Sequence, residues 1–238
     1  MASNFTWSQL RTKIENDLDL TDELFITQEE LLGYANEAID EAEQEVLTIY
    51  EDYFLTKTNL ALATGTDEYD LPADIWAHKI RSIQYRSGSE RFLIRRLKQL
   101  PDVNEVDSND KHYRYMVVNS LADGPKIKLF PASLETSSTN VTIWFIRNAK
   151  EIVLDSDVID IPEGHKFVMQ HIKLRCYEKE GSPKQVKAQQ DLERERRLLV
   201  DSLSAMIPDE DNHMILDTSF YEDFDDNYTS GQYPYRRG

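Results

Sequence analysis

The segment Thr27–Asp52 reads TQEELLGYANEAIDEAEQEVLTIYED, a pattern that predicts a long amphipathic helix. Its first residue, Thr27, stands three residues before Glu30, which is the spacing of a capping box at a helix start. Apolar residues then recur at intervals of three and four, the period of one helix face. These residues are Leu31, Leu32, Ala35, Ala38, Ile39, Ala42, Val46, Ile49 and Tyr50. We expect the rest of the chain to pack against this face.

The other face of this helix is acidic. Glu37, Glu41 and Glu45 follow one another at intervals of four residues. Like charges at that spacing destabilise a helix by about 0.2–0.5 kcal/mol per pair. No lysine or arginine occurs between Ile14 and Thr56, although a helix that needs only solubility usually mixes both signs. Two interpretations stay open: a solvated face, or a surface that faces a channel or a neighbouring subunit.

Three more helices are predicted from the same apolar period. The first covers about 7–19 and begins with a second capping box, formed by Thr6 and Gln9. The other two follow much later in the chain, at about 163–181 and about 183–206. The helices therefore come in two pairs, one at each end of the patterned part of the sequence.

Between these pairs the apolar period changes to two, which is typical of β-strands. The predicted strands are 54–63, 79–86, 113–119, 126–131 and 140–148. We predict an α+β fold with an antiparallel four-helix bundle core, an inserted antiparallel β-rich domain and an extended C-terminal arm. The boundaries are 1–53 and 151–207 for the bundle helices, 54–150 for the insertion and 208–238 for the arm.

Composition limits the classes of function. The 238 residues carry a net charge of −17, which disfavours a protein that grips nucleic acid through its phosphates. An acidic wall, however, leaves a passing duplex free to slide. Cys176 is the only cysteine, so no intrachain disulfide can form, which fits production in a reducing cytosol. We find no signal peptide and no apolar run of membrane-spanning length, and expect no membrane association.

Two segments stand out as candidate interaction surfaces. A basic stretch covers 79–98, and its candidate inter-subunit residues are Arg86, Arg91, Arg95 and Arg96. A solvated sheet face or an edge guarded against aggregation explains it equally. The arm 208–238 mixes acidic residues with aromatics, and disordered solvating tails are poor in aromatics. We therefore favour an arm that docks into another chain over an idle tail. Its candidate docking residues are Phe220, Tyr221, Phe224, Tyr228, Tyr233 and Tyr235.

No catalytic constellation is found in the sequence. It lacks a glycine-rich phosphate loop, a zinc-protease motif and a nucleophile elbow. His165 and His171 stand six residues apart, which places their rings on different helix faces and disfavours a shared metal ion. Cys176 lies on an apolar stripe and reads as a small core residue. We expect no enzymatic activity, no bound metal and no cofactor.

Three short segments follow one another within a stretch of about 6–206: FTWSQL at 5–10, TQEELLGYANEA at 27–38 and EYDLPAD at 68–74. In these segments, and in the order of helices, strands and arm, the chain resembles the head-to-tail adaptor proteins of tailed bacteriophages, especially those with short tails. The resemblance implies a virion structural protein. Such adaptors form a ring, commonly of twelve copies, below the portal protein of the capsid.

The resemblance also implies partners. Adaptors dock to the portal through a C-terminal extension and present a platform to tail proteins of the nozzle or fibre, while DNA passes through without sequence-specific binding. The chain would then be made in the host cytoplasm and end in the neck between head and tail, with Glu37, Glu41 and Glu45 lining the channel. Two alternatives stay open: another tail, baseplate or scaffold component, and a metal-dependent nuclease. The nuclease needs carboxylates that converge on a metal pair, whereas these acids lie along one helix.

Overall fold

A computed structural model describes residues 5–20, 25–97, 113–120 and 124–207. The helices are α1 (Trp7–Leu18), α2 (Gln28–Ile49), α3 (His165–Glu180) and α4 (Gln185–Ser204). The strands are β1 (Leu55–Leu62), β2 (Glu68–Asp70), β3 (Ile75–Ser87), β4 (Glu90–Arg96), β5 (Arg114–Ser120), β6 (Gly124–Phe130) and β7 (Ser137–Arg147). The predicted arm, 208–238, lies outside the described residues, as do its six candidate docking aromatics.

Both predicted capping boxes are confirmed. At the start of α2, the Glu30 N–H donates to the Thr27 hydroxyl at 3.2 Å, and the Thr27 N–H donates to the Glu30 carboxylate at 2.9 Å. Thr6 and Gln9 make the same reciprocal pair at the start of α1, at 3.2 and 3.4 Å. Each box satisfies two backbone donors that a helix start otherwise leaves unpaired. The helix starts are therefore encoded locally.

The strands form one seven-stranded sheet in the order β1-β7-β3-β4-β5-β6-β2. All strand pairs are antiparallel except β4 with β5, which is parallel. The sheet is therefore mixed, and the prediction of a purely antiparallel sheet is wrong. The sheet curls into a nearly closed barrel. The hydroxyl of Tyr69 in β2 donates to the carbonyl of Thr66 at 2.9 Å and lies 3.3 Å from the carbonyl of Ala63, just after β1. A cleft of about 450 Å³ lies between these two edge strands.

The prediction of a four-helix bundle core is wrong. The helix α3 lies centrally: α2 and α4 pack against it, and α1 packs mainly against α3 as well. The core around these helices is completed by residues from outside them: Phe54, Ile146, Ile152, Ile159 and Ile161. The fold is therefore α+β, with helices packed on the end of a barrel-like sheet and on the segment 148–161 that joins β7 to α3. A second core, including Ile83, Ile127 and Ile143, fills the sheet itself.

The segment 148–161 ties α1 and α2 to the sheet. The Asn36 side chain on α2 donates to the Ile152 carbonyl at 3.1 Å and accepts from the Ile152 N–H at 2.9 Å. On the other side, the N–H of Trp7 donates to the Asp157 carbonyl at 2.8 Å, and Arg11 forms a two-pronged ion pair with Asp155. These contacts fix the backbone of 148–161, although this segment contains no long helix or strand.

Candidate functional site

The three glutamates of the acidic helix face lie against basic groups of α3 and α4. Glu37 pairs with Arg175 at 3.3 Å, and the Glu41 carboxylate lies 3.4 Å from the Nε2 atom of His171. Glu45 forms an ion pair with Arg196. We call Glu37, Glu41 and Glu45 the acidic row. Arg175 on α3 and Arg196 on α4 supply positive charges that α2 lacks in its own sequence, which offsets part of the repulsion along the row.

Exposure differs along the acidic row. The Glu37 side chain is 53% exposed and that of Glu41 is 45% exposed, whereas that of Glu45 is only 23% exposed. Two of the three carboxylates therefore still present negative charge to the surroundings of the chain. A channel-facing role for the row stays a prediction.

His171 is the buried member of this seam, at 6% exposure. Burial lowers the pKa of His171, because the charged imidazolium loses its hydration, while the nearby Glu41 carboxylate opposes that shift. Its Nδ1 atom is buried and has no hydrogen-bond partner among the described residues. The imidazole is thus held neutral between α2 and α3 at pH 7.

Acidification is expected to destabilise the fold through His171. The pKa of His171 in the folded chain lies below the ordinary 6.5, so the unfolded chain binds the proton first. Stability present above pH 6.5 is therefore lost as the pH falls towards the folded-state pKa, with a slope of at most about 1.4 kcal/mol per pH unit. Urea unfolding between pH 7 and pH 5 measures this dependence of stability on pH. His171→Asn should flatten this slope, and the exposed His78→Asn is the matched control. Equal slopes in both variants would refute the assignment.

The basic stretch divides into two parts. Lys79 pairs with Glu51 at 2.6 Å, and Arg81 pairs with both Glu51 and Asp52 at 2.6 Å. These two cations therefore fasten β3 to the turn that follows α2. Beside them, the backbone of Ala77 has a positive φ of 44°, at a shift in the register between β3 and β7.

The four candidate inter-subunit arginines all lie on the hairpin of β3 and β4. Arg86 stands directly opposite Arg91, and strand alternation puts Arg95 on the same outer face, with Arg96 on the other. Like charges directly opposite each other destabilise a sheet. Arg86 and Arg91 are exposed, and the ion pairs among the described residues leave these two without a carboxylate partner. Their inter-subunit role stays a prediction.

This outer face carries a groove of about 420 Å³ that sequence reasoning missed. We call it the basic groove. Its lining comes from β1, β3, β4 and β7 and includes Lys57, Gln84, Arg86, Arg91, Leu93, Thr142 and Trp144.

Trp144 lines the basic groove, with the Lys57 amine 5.1 Å from its ring centre. The indole N–H of Trp144 is buried and has no acceptor among the described residues. Lys57 and Trp144 are 87 positions apart in the numbering and meet because they are register partners across β1 and β7. No local signal in the sequence brings them together.

The described residues offer no metal site. Within those ranges, no group of three or more histidine, cysteine, aspartate or glutamate side chains is placed to hold a metal ion. Burial raises the pKa of the Cys176 thiol to about 12, so this side chain is an inert core residue. No described helix combines the length and apolar character that crossing a membrane requires.

One comparison with known proteins identifies a family. A family model described as SU10 adaptor protein matches residues 5–212, which include the four helices and seven strands of the described residues. No curated protein matches the sequence.

Proposed function

The chain belongs to the SU10 adaptor protein family, and from this premise we propose that it forms a ring below the portal that joins the capsid to the tail. The family makes it a phage adaptor and a structural component of the virion. The proposed ring, of about twelve copies, sits in the neck between head and tail after synthesis in the host cytoplasm. It acts without catalysis and lets DNA pass without sequence-specific contacts.

The observation that carries the proposal is the extent of the family match, because 5–212 spans both cores of the fold. The charge distribution gives it physical support. The helix α2 is strongly acidic and carries no lysine or arginine, whereas basic side chains outnumber acidic ones on the described strands. A chain with charges segregated in this way can attract copies of itself at unlike surfaces while its acidic surfaces repel DNA phosphates.

Each surface has a proposed role. The acidic row faces the DNA channel or a neighbouring copy, and Glu37 and Glu41 retain the exposure that such a role needs. The arginines Arg86, Arg91, Arg95 and Arg96 contact an acidic surface of the neighbouring copy. The arm 208–238 clamps the portal through its aromatic side chains, and the helical end presents a platform to the tail proteins. We also propose that the segments with these roles end at the predicted boundaries, residues 53, 150 and 207.

The competing function is that of another tail, baseplate or scaffold component, which would use the same surfaces on a different partner. A metal-dependent nuclease has less support, because the carboxylates of the acidic row lie along one helix and each contacts a basic group. DNA cleavage with magnesium would be the observation in favour of a nuclease.

Mixing the purified chain with purified portal tests the proposed function. We expect electron microscopy to show a ring of copies on the portal, and the mass of the complex to give the number of copies. The control is the chain alone at the same concentration, which reports whether copies associate with one another without portal. A chain that binds no portal at any ratio would overturn the proposal in favour of the alternative component.

A further inference from the structure

The segment that joins β7 to α3 presents an apolar loop to the outside. Val153 is 71% exposed, Leu154 is 60% exposed and Val158 is 43% exposed. We call Glu151–Val158 the apolar loop. The loop also carries three acidic residues, Glu151, Asp155 and Asp157. Asp155 pairs with Arg11 of the same chain, so among the described residues Glu151 and Asp157 are the two acids of the loop without a basic partner. Contiguous exposed apolar side chains with a charged rim are typical of a protein–protein contact.

The apolar loop is held in one shape. The Asp157 carboxylate accepts the N–H groups of Leu154 at 2.7 Å and Val153 at 2.9 Å. These bonds hold the pKa of Asp157 below its usual value, so the carboxylate stays charged. From outside the loop, the Asn36 side chain pairs with the backbone of Ile152. A loop fixed in this way loses little conformational entropy when a partner covers it.

The basic groove has the complementary chemistry. Leu93 is 59% exposed there and lies in the same lining as Trp144. Lys57, Arg86 and Arg91 line the same groove, the last two without a carboxylate partner among the described residues. The groove thus combines apolar and basic side chains, and the loop combines exposed apolar side chains with acidic ones.

We propose that the apolar loop of one copy docks into the basic groove of the next copy. This inference rests on the proposed function and adds the contact by which copies join. A second copy is the occupant because both halves belong to the same chain, and because the loop does not fill the groove within its own chain. Such a contact joins unlike surfaces, so it repeats from copy to copy and closes into a ring when the rotation allows.

Disulfide trapping tests this contact. One preparation carries Leu93→Cys and another carries Leu154→Cys, and the two are mixed, assembled on portal and mildly oxidised. The natural Cys176 is buried and does not interfere. We expect a crosslinked dimer that contains one copy of each variant. The control pairs Leu93→Cys with Val186→Cys, an equally exposed position on α4, and should give no crosslink.

A charge exchange tests the same contact without cysteines. Arg91→Glu should weaken the association of copies about tenfold or more, and Glu151→Lys in the same chain should restore most of it. The exposed Lys187→Glu on α4 is the matched control and should leave association unchanged. A ring on the portal without the 93–154 crosslink and without rescue would overturn this inference and leave the proposed function standing. Failure to form any portal-bound ring would overturn both.

Discussion

Arg147→Ala is expected to lower the free energy of unfolding by about 3 kcal/mol, because it leaves a carboxylate without its partner at the junction of sheet and helices. Arg147 ends β7, and its guanidinium forms a two-pronged ion pair with the Asp160 carboxylate. In one of the two contacts, Nη2 of Arg147 lies 3.0 Å from Oδ1 of Asp160. The two side chains are only 20% and 18% exposed. The guanidinium also lies 5.0 Å from the ring centre of Phe54, so the core that contains Phe54 loses a contact as well.

Thermal and urea unfolding measure this effect, and the midpoint temperature should fall by roughly 6–12 °C for a chain of this size. Arg147→Lys keeps the charge but loses the two-pronged geometry, and should lie between the alanine variant and the natural chain. The matched control is Arg81→Ala, whose ion pairs with Glu51 and Asp52 are more exposed. An exposed pair contributes at most about 1 kcal/mol. Similar losses at both positions would contradict the structural role of Arg147.

The helices could be predicted from the sequence because their signals are local. A capping box, an apolar stripe and a terminating glycine or proline all lie within one element, and those for α1 and α2 led to the correct starts. The arrangement of the helices could not be predicted in the same way. An apolar stripe shows that a helix buries one face, but it does not say whether helix, strand or loop covers that face. Here Ile146, Ile152 and Ile161 cover much of it, so the bundle prediction was wrong.

The strands were predicted in part. Those with clear apolar alternation, such as β1 and β7, fall close to their predicted positions. The strand β4 was hidden by its composition, because Glu90–Arg96 reads as a charged stretch. The three-residue β2 is too short to show a period, and only its pairing with β6 makes it a strand. Parallel pairing of β4 with β5 likewise depends on contacts between distant segments.

The candidate surfaces were likewise predicted only in part. The acidic row and the basic stretch are visible as charge runs, but their partners are not. Glu41 meets His171 through the packing of α2 on α3, and Lys79 of β3 meets Glu51, which stands 28 positions earlier in the chain. The basic groove could not be predicted from the sequence, because Trp144 and Lys57 come together only through strand register. A sequence therefore reveals which charges a surface carries more readily than which of them stay available to a partner.

Removal of 208–238 is expected to abolish attachment to the portal while the fold remains intact. The helix α4 ends at Ser204, and its last backbone bonds are made by Ala205, Met206 and Ile207. The buried Leu203 lies before the cut, as do all other described core residues. The truncated chain should therefore keep its circular dichroism and unfolding midpoint. Portal binding, measured by co-sedimentation, should fall below detection.

The aromatic side chains of the arm distinguish specific docking from a general effect of its length and charge. A full-length variant with alanine at all six docking positions retains every acidic residue of the arm. These positions are Phe220, Tyr221, Phe224, Tyr228, Tyr233 and Tyr235. It should bind portal as poorly as the truncated chain, because burial of aromatic surface, at about 25 cal/mol per Å², would supply the affinity. Retained binding by this variant would assign the docking to the acidic groups of the arm. Retained binding by the truncated chain would place the portal contact within 1–207.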